Sequence, residues 1–479
     1  MSDLHERLRA LEAESAPLEA DALRRRELAD AALGYGEARI DEIARGPAAP
    51  QTPAPRLDEL AVRDEPAPLA DVLARLERNV EAGAARPASG RFFAYIPGGN
   101  LYESALADFV AAVSGLYSAR HSVAAGAVAV ENAVLAWLTQ LLGLPAQSAG
   151  NLTSGGSLAN FIAIVTAREH AHIRAAEISR TVVYATAQAH HSLAKGLRVA
   201  GLGEAVVREV PMDARFRMDA SALARLVAAD RAAGLTPWLL LAAAGTTDTG
   251  AVDPLPALAD LAAREKLWLH VDAAYGGMFA LVKAPILRGI ERADSIVVDP
   301  HKGMFLPWGV GAVLTRHREA MRSAFSFEAS YIHDALGGEV TLSPMETSPE
   351  LSRPFRGLRV WLPLALLGTR PFAAALEEKL LLAQHAHARL SEDTAFETGP
   401  APDLSVVLFR PRGAGSTAER NARTERLAAS LAADGRAAFS PTTIAGERWL
   451  RMAILAARTH LREVDEALQI LREHAAKLG

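Results

Sequence analysis

The sequence contains no cysteine. That excludes disulfides, thiolate zinc sites and cysteine nucleophiles. Lysine is almost as scarce: Lys195, Lys266, Lys283, Lys302, Lys379 and Lys477 stand against abundant arginine. Chemistry that needs a lysine amine is confined to those positions. The formal net charge is −5 and no basic block occurs, so nucleic acid is a poor partner. The apolar run at 238–244 is too short to span a bilayer, which predicts no membrane partner. The first residues, Met1-Ser2-Asp3-Leu4-His5-Glu6-Arg7, are charged and carry no apolar segment. They predict no secretory leader, and the expected location is the cytoplasm. No His-Glu-x-x-His is present, and His170/His172 and His385/His387 are i, i+2 pairs. On a helix such pairs point to different faces, so no metal is expected.

What is present is half apolar by composition, enough for a sizeable core. The 479 residues exceed one compact core, so two or three domains are expected. Residues 1–45 carry leucines at helical spacing, 46–68 read as an extended Pro/Ala connector, and 69–82 as another amphipathic helix. The stretch Arg91-Phe92-Phe93-Ala94-Tyr95-Ile96-Pro97-Gly98-Gly99 is an aromatic-rich loop. It reads either as packing or as the mouth of a pocket. Two helices follow within 102–140. Strands at 181–185, 205–210, 238–243, 267–271 and 295–298 then alternate with helices, and 309–314 runs back as a further strand. This rhythm predicts an α/β fold with a mostly parallel sheet covered on both faces, and ligands beyond its carboxyl ends. Residues 323–351 lack periodicity and read as a long functional loop. Residues 359–386 are helical, and strands and helices after 404 predict a small α+β domain. The expected division is a helical arm at 1–101, a large domain at 102–370 and a small domain at 371–479.

Four predicted strand ends bear polar residues. At Asp299-Pro300-His301-Lys302, a lysine stands just beyond the apolar strand 296–298. Desolvation favours its neutral amine, which attacks aldehydes. Lys302 is therefore the candidate to carry pyridoxal phosphate (PLP) as a Schiff base. In Thr153-Ser154-Gly155-Gly156-Ser157, two glycines let the backbone approach an anion at a helix N-terminus, a phosphate cradle. An ordinary Gly-Ser helix start would look the same. In Gln188-Ala189-His190-His191, an imidazole could stack on a ring, relay protons or cap a helix. In His270-Val271-Asp272-Ala273-Ala274, Asp272 ends an apolar strand. A buried carboxylate needs a partner, and a protonated pyridine nitrogen would be one. Thirty residues separate Asp272 from Lys302, room for one crossover between neighbouring strand ends.

These residues resemble the PLP-dependent group II amino-acid decarboxylases, in particular the aromatic-L-amino-acid decarboxylases. The matching stretches include Ser154-Gly155-Gly156-Ser157, Gly245-Thr246-Thr247, His270-Val271-Asp272-Ala273-Ala274-Tyr275, Asp299-Pro300-His301-Lys302 and Ser352-Arg353-Pro354-Phe355-Arg356. The resemblance implies the fold of aspartate aminotransferase and a homodimer with the active site at the subunit interface. It implies decarboxylation of an L-amino acid, with transamination or oxidative deamination to an aldehyde as the alternative and a non-catalytic PLP-binding dimer as the remote one. It makes Lys302 the Schiff-base lysine, Asp272 the pyridinium partner and His190 the stacking group. Thr246 and Ala274 flank the cofactor, while Gly156, Ser157 and His301 hold phosphate. Tyr331 is the proton donor of the long loop, and Phe93, Tyr95, Pro97 and Arg356 fall near the substrate. Asp299 stands where many aromatic enzymes have asparagine, and Gly98 and Gly303 also depart from the pattern.

Overall fold

The computed structural model describes residues 2–51, 54–326 and 342–478. The predicted proton donor Tyr331 lies outside them. Among the described residues no helix is long and apolar enough to cross a membrane.

The large sheet has seven strands in the order β1-β7-β6-β5-β4-β2-β3. They are β1 Ala149–Thr153, β2 Thr181–Ala185, β3 Val206–Glu209, β4 Thr236–Ala243, β5 Trp268–Asp272, β6 Ser295–Val298 and β7 Gly311–Thr315. Strands β3, β2, β4, β5 and β6 are parallel, and β7 runs antiparallel between β6 and β1. β2 and β6 are buried along their whole length, as expected of strands covered on both faces. Their Val-rich runs suit that environment better than a helix, because β-branched side chains pack well on a pleat. The crossover helices end cleanly. Asp219, for example, accepts the N–H groups of Ser221 and Ala222 at 2.8 and 3.0 Å and so caps the helix Ala220–Ala232.

Two elements differ from the sequence reading. β1 is the strand before the Thr153–Ser157 turn, which the sequence reading counted as a strand end without giving the strand a range. Its sequence, Ala149-Gly150-Asn151-Leu152-Thr153, has no strand signature, and pairing with β7 creates it. The helix expected over 359–386 is two, Arg356–Leu367 and Arg370–Glu392, broken at Gly368.

The second sheet holds β8 Phe396–Thr398, β9 Val406–Pro411, β10 Ser440–Ile444 and β11 Glu447–Ala453, in the antiparallel order β10-β11-β9-β8. The aromatic loop joins the two sheets. Phe93 exchanges backbone hydrogen bonds with Ala438 and Ala453 at 2.8 and 2.9 Å, and eight residues later Leu101 bonds the carbonyl of Phe305 at 3.1 Å.

Phe93 itself corrects an expectation. Its ring is fully buried, stacks on Phe439 at 5.6 Å and belongs to the core of the small sheet with Phe396 and Phe409. It has no face free for substrate. Phe93→Ala is expected to cost about 3–5 kcal/mol, whereas Tyr95→Ala, at an exposed position, should stay within about 0.5 kcal/mol. Guanidinium denaturation of both variants checks this, and equal midpoints would remove Phe93 from the core.

Candidate active site

The carboxyl ends of β2, β4, β5 and β6 open onto one cavity of about 330 Å³. The turn after β1 closes one end of it. Gly155 there has φ +146°, a conformation that glycine adopts without strain. It turns the chain from β1 into the helix Gly156–His170, whose first N–H groups face the cavity end. Gly155, Gly156 and Ser157 line that end. Lys302 lies on the short helix Pro300–Gly303 directly after β6. Its amine is 3.1 Å from Asp299 Oδ2. His190, Thr246, Asp272, Ala274 and His301 line the same cavity. The structure thus brings together all nine residues expected around a cofactor.

The residues expected near substrate behave differently. Neither Tyr95 nor Pro97 lines the cavity of the single chain; Tyr95 is exposed and Pro97 is buried. Arg356 is buried and spends its guanidinium on Glu350, in a two-point ion pair of 2.6 and 2.8 Å, and on the Leu152 carbonyl at 3.3 Å. It braces the end of β1 and does not line the cavity.

A hydrogen-bond network fixes the protons. Asn160 Nδ2 donates to Asp272 Oδ2 and to Ser192 Oγ, both at 2.9 Å. A carboxylate only accepts, so the amide orientation is set. Asn160 Oδ1 therefore accepts from His270 Nε2 at 2.8 Å, and His270 Nδ1 receives the Ser295 hydroxyl at 2.8 Å. Trp268 Nε1 donates to the same hydroxyl oxygen at 2.9 Å. His270 is neutral here, because burial pushes it down to about 4. On the other side, the Ser192 hydroxyl lies 2.8 Å from His190 Nδ1 and the Ser192 backbone N–H donates to it at 3.3 Å. Nδ1 is thus an acceptor, and the proton of the neutral ring sits on Nε2. Burial lowers His190 as well, with Asp272 opposing.

Sequence reasoning missed Asn160, Ser192, His270 and Ser295. Two signals were available. Asn160 follows Gly156 by four residues, one helical turn, and His270 shares a strand face with Asp272. It also missed Trp308, half exposed at the cavity wall with its ring 5.1 Å from that of His301.

The donor set fits pyridoxal phosphate. An amine stands at one wall for the aldehyde, a half-buried carboxylate at a strand end for the ring nitrogen, and a glycine turn on a helix N-terminus for the phosphate. With the doubly covered, mostly parallel sheet, this defines a fold type I PLP enzyme. Known proteins agree. Residues 50–412 match the pyridoxal-dependent decarboxylase conserved domain. The aromatic-L-amino-acid decarboxylase of Bacillus atrophaeus is 34% identical over 408 residues, 84% of each chain. The L-2,4-diaminobutyrate decarboxylase of Rhizobium meliloti is 35% identical over 362 residues, covering 74% of this chain and 71% of that one. The crystal structure of Oryza sativa TDC with PLP and tryptamine superposes with a TM-score of 0.89 at 26% identity, over 96% of this chain and 99% of that one. The chain belongs to the pyridoxal-dependent decarboxylase family. Its cofactor is pyridoxal 5'-phosphate and its reaction is amino-acid decarboxylation, a carboxy-lyase activity.

Asn160→Ala removes a hydrogen bond to a charged group, worth about 1.5–3 kcal/mol. Cofactor affinity is expected to fall roughly 10- to 150-fold, read by titrating the cofactor-free protein with PLP. Unchanged affinity would show that Asp272 needs no such support.

Proposed function

We propose that this enzyme decarboxylates an aromatic L-amino acid to its amine. The observation that carries the reading is Trp308. Its indole lies against His301 at the cavity wall, and Gly98 makes room for it, since a Cβ there would come within 3.0 Å of the indole. A flat apolar wall suits an aromatic side chain. Among the described residues lining the cavity, Asp272 and Asp299 are the only acids. Asp272 serves the ring nitrogen and Asp299 lies against Lys302 and the glycine turn. Neither is left for a side-chain ammonium, which speaks against a diamino acid.

In this reading Lys302 would hold the cofactor through its amine. Bound PLP supplies an electron sink for the pair left on the α-carbon when carbon dioxide departs. Asp272, held by Asn160, keeps the proton on the ring nitrogen. His190 would lie against the ring, its Nδ1 held by Ser192 and its Nε2–H on the other side. Gly155, Gly156, Ser157 and His301 take the phosphate, and Thr246 and Ala274 flank the ring. Tyr331 or His190 would return the proton to the α-carbon, and a tyrosine at 331 favours the amine over the aldehyde.

The same reading includes a homodimer working in the cytoplasm. Phe109 and Val113 on the helix Tyr102–Ser114, and Trp361 and Leu366 on the helix Arg356–Leu367, are exposed large apolar residues. The two helices pack against each other. Such a patch is costly in water and marks an association surface. Tyr95 then completes the substrate pocket across the interface. Sedimentation should give a dimer for the native chain and monomers, with lost activity, for Val113→Asp. A native monomer with full activity would end this part of the reading.

The reaction is tested by offering a panel of amino acids and measuring carbon dioxide, amine, aldehyde and peroxide. Amine equal to carbon dioxide from aromatic substrates is expected, and aldehyde with peroxide would replace this reading by the oxidative one. In Lys302→Ala the visible absorbance band of the bound cofactor should vanish; a surviving band would mean another anchor.

A further inference from the structure

We propose that Arg451 and Ser440 together are the positioning pair for substrate: they tie Tyr95 of the aromatic loop to the Thr246-Thr247 turn beside the cofactor. Neither lines the cavity, so both act through the residues they hold. This rests on the reading that Tyr95 completes the substrate pocket, and deepens it.

Ser440 begins β10 and Arg451 lies in β11, and the register of that hairpin sets them directly opposite each other. Opposed residues of an antiparallel pair share a face of the sheet. Arg451 is buried, and its Nη2 donates to Ser440 Oγ at 2.7 Å while its Nη1 donates to the Thr247 carbonyl. Thr246 and Thr247 line the cavity, on the turn after β4. From the other side, the Tyr95 N–H donates to the same Ser440 oxygen at 3.0 Å. One guanidinium therefore holds the turn directly and the aromatic loop through a single hydroxyl.

Two features set this pair apart from an ordinary brace between domains. First, Arg451 is a buried cation without a close carboxylate. Among the described residues Asp248 is the one acid in reach, 3.9 Å from Nε, and Nε has no hydrogen-bond partner. Arg410, on the adjacent β9 and also buried, is instead matched by Glu397 in a two-point pair of 2.9 and 3.0 Å. An arginine so poorly compensated is a cost to the fold, which points to a role in the site. Second, the segment it holds is strained. Tyr95 has φ +56°, a left-handed conformation that a residue with a Cβ adopts at a cost. Such a backbone persists only where its surroundings impose it. Here they are Phe93, bonded through its backbone to Ala438 and Ala453, and Ser440 two residues further along the loop. The Tyr95 side chain leaves this strained turn exposed, its ring 6.4 Å from that of the buried Phe92.

The test is kinetic, on the full-length enzyme saturated with PLP, using whichever common L-amino acid the native chain decarboxylates best. Ser440→Ala removes the acceptor of the Tyr95 N–H and should raise KM about two- to tenfold, the worth of one hydrogen bond, with kcat little changed. Tyr95→Ala should raise KM at least as much. In the double variant KM should equal that of Tyr95→Ala alone, because no side chain is left to position. Effects that multiply would overturn the proposal. So would a Ser440→Ala that lowers kcat and the denaturation midpoint and leaves KM as it was, the mark of a purely structural brace. If Tyr95→Ala leaves KM unchanged, the substrate-pocket reading fails and the proposal with it. If Tyr95→Ala raises KM and Ser440→Ala does not, the pocket reading stands and the positioning pair is overturned. Arg451→Met, which also frees Thr247, should weaken PLP binding as well as raise KM, whereas Ser440→Ala should leave PLP affinity unchanged; equal PLP affinity in both would overturn the tie to the cofactor turn. Should Arg451→Met fail to fold, the Ser440 and Tyr95 variants, which keep the arginine, still decide.

Discussion

The site depends on how a carboxylate can be kept at the end of a buried strand. β5 is apolar and covered on both sides, and Asp272 at its end would be costly there without partners. Asn160 supplies one hydrogen bond and the Ala274 N–H another, at 2.9 and 3.1 Å. Asn160 is itself held by His270, which is locked through Ser295 to Trp268. Each member has a determined donor or acceptor role, so the network has one low-energy arrangement. Through Ser192 the same amide sets the tautomer of His190. One side chain thus joins the carboxylate of Asp272 to the imidazole of His190 through Ser192.

The sheet topology decides where this network can act. Parallel strands present their carboxyl ends on the same edge, and β7, running the other way, returns the chain beside β1. The glycine turn after β1 and the lysine after β6 are therefore close although Gly155 and Lys302 are far apart in sequence. Asp299 shares this corner with both. It is buried against Gly156 and Gly311.

Much of the site was legible in the sequence because its residues are tied to strand ends by short motifs. Lys302, Asp272, His190 and the Gly155-Gly156-Ser157 turn each sit one or two residues beyond or beside an apolar run or a helix start. Strand ends are local information. Phe93 and Arg356 were misjudged for the opposite reason. An aromatic in a loop and an arginine before a helix look available until long-range packing covers them. Phe93 is taken by a core built from residues some three hundred positions away, and Arg356 by Glu350 and the carbonyl edge of β1. The range of β1 was invisible because its pairing partner, not its composition, makes it a strand.

The sequence by itself determined the alternation of strands and helices, the absence of cysteine chemistry and which lysine, carboxylate and glycine turn are the candidates. These follow from hydrophobic periodicity and from the chemistry each residue type can do. Only the tertiary structure decided which imidazole nitrogen carries a proton, that Asn160 joins Asp272 to His190 and that Trp308 walls the cavity. Those are matters of distance between segments remote in the chain, and of which polar groups burial deprives of water.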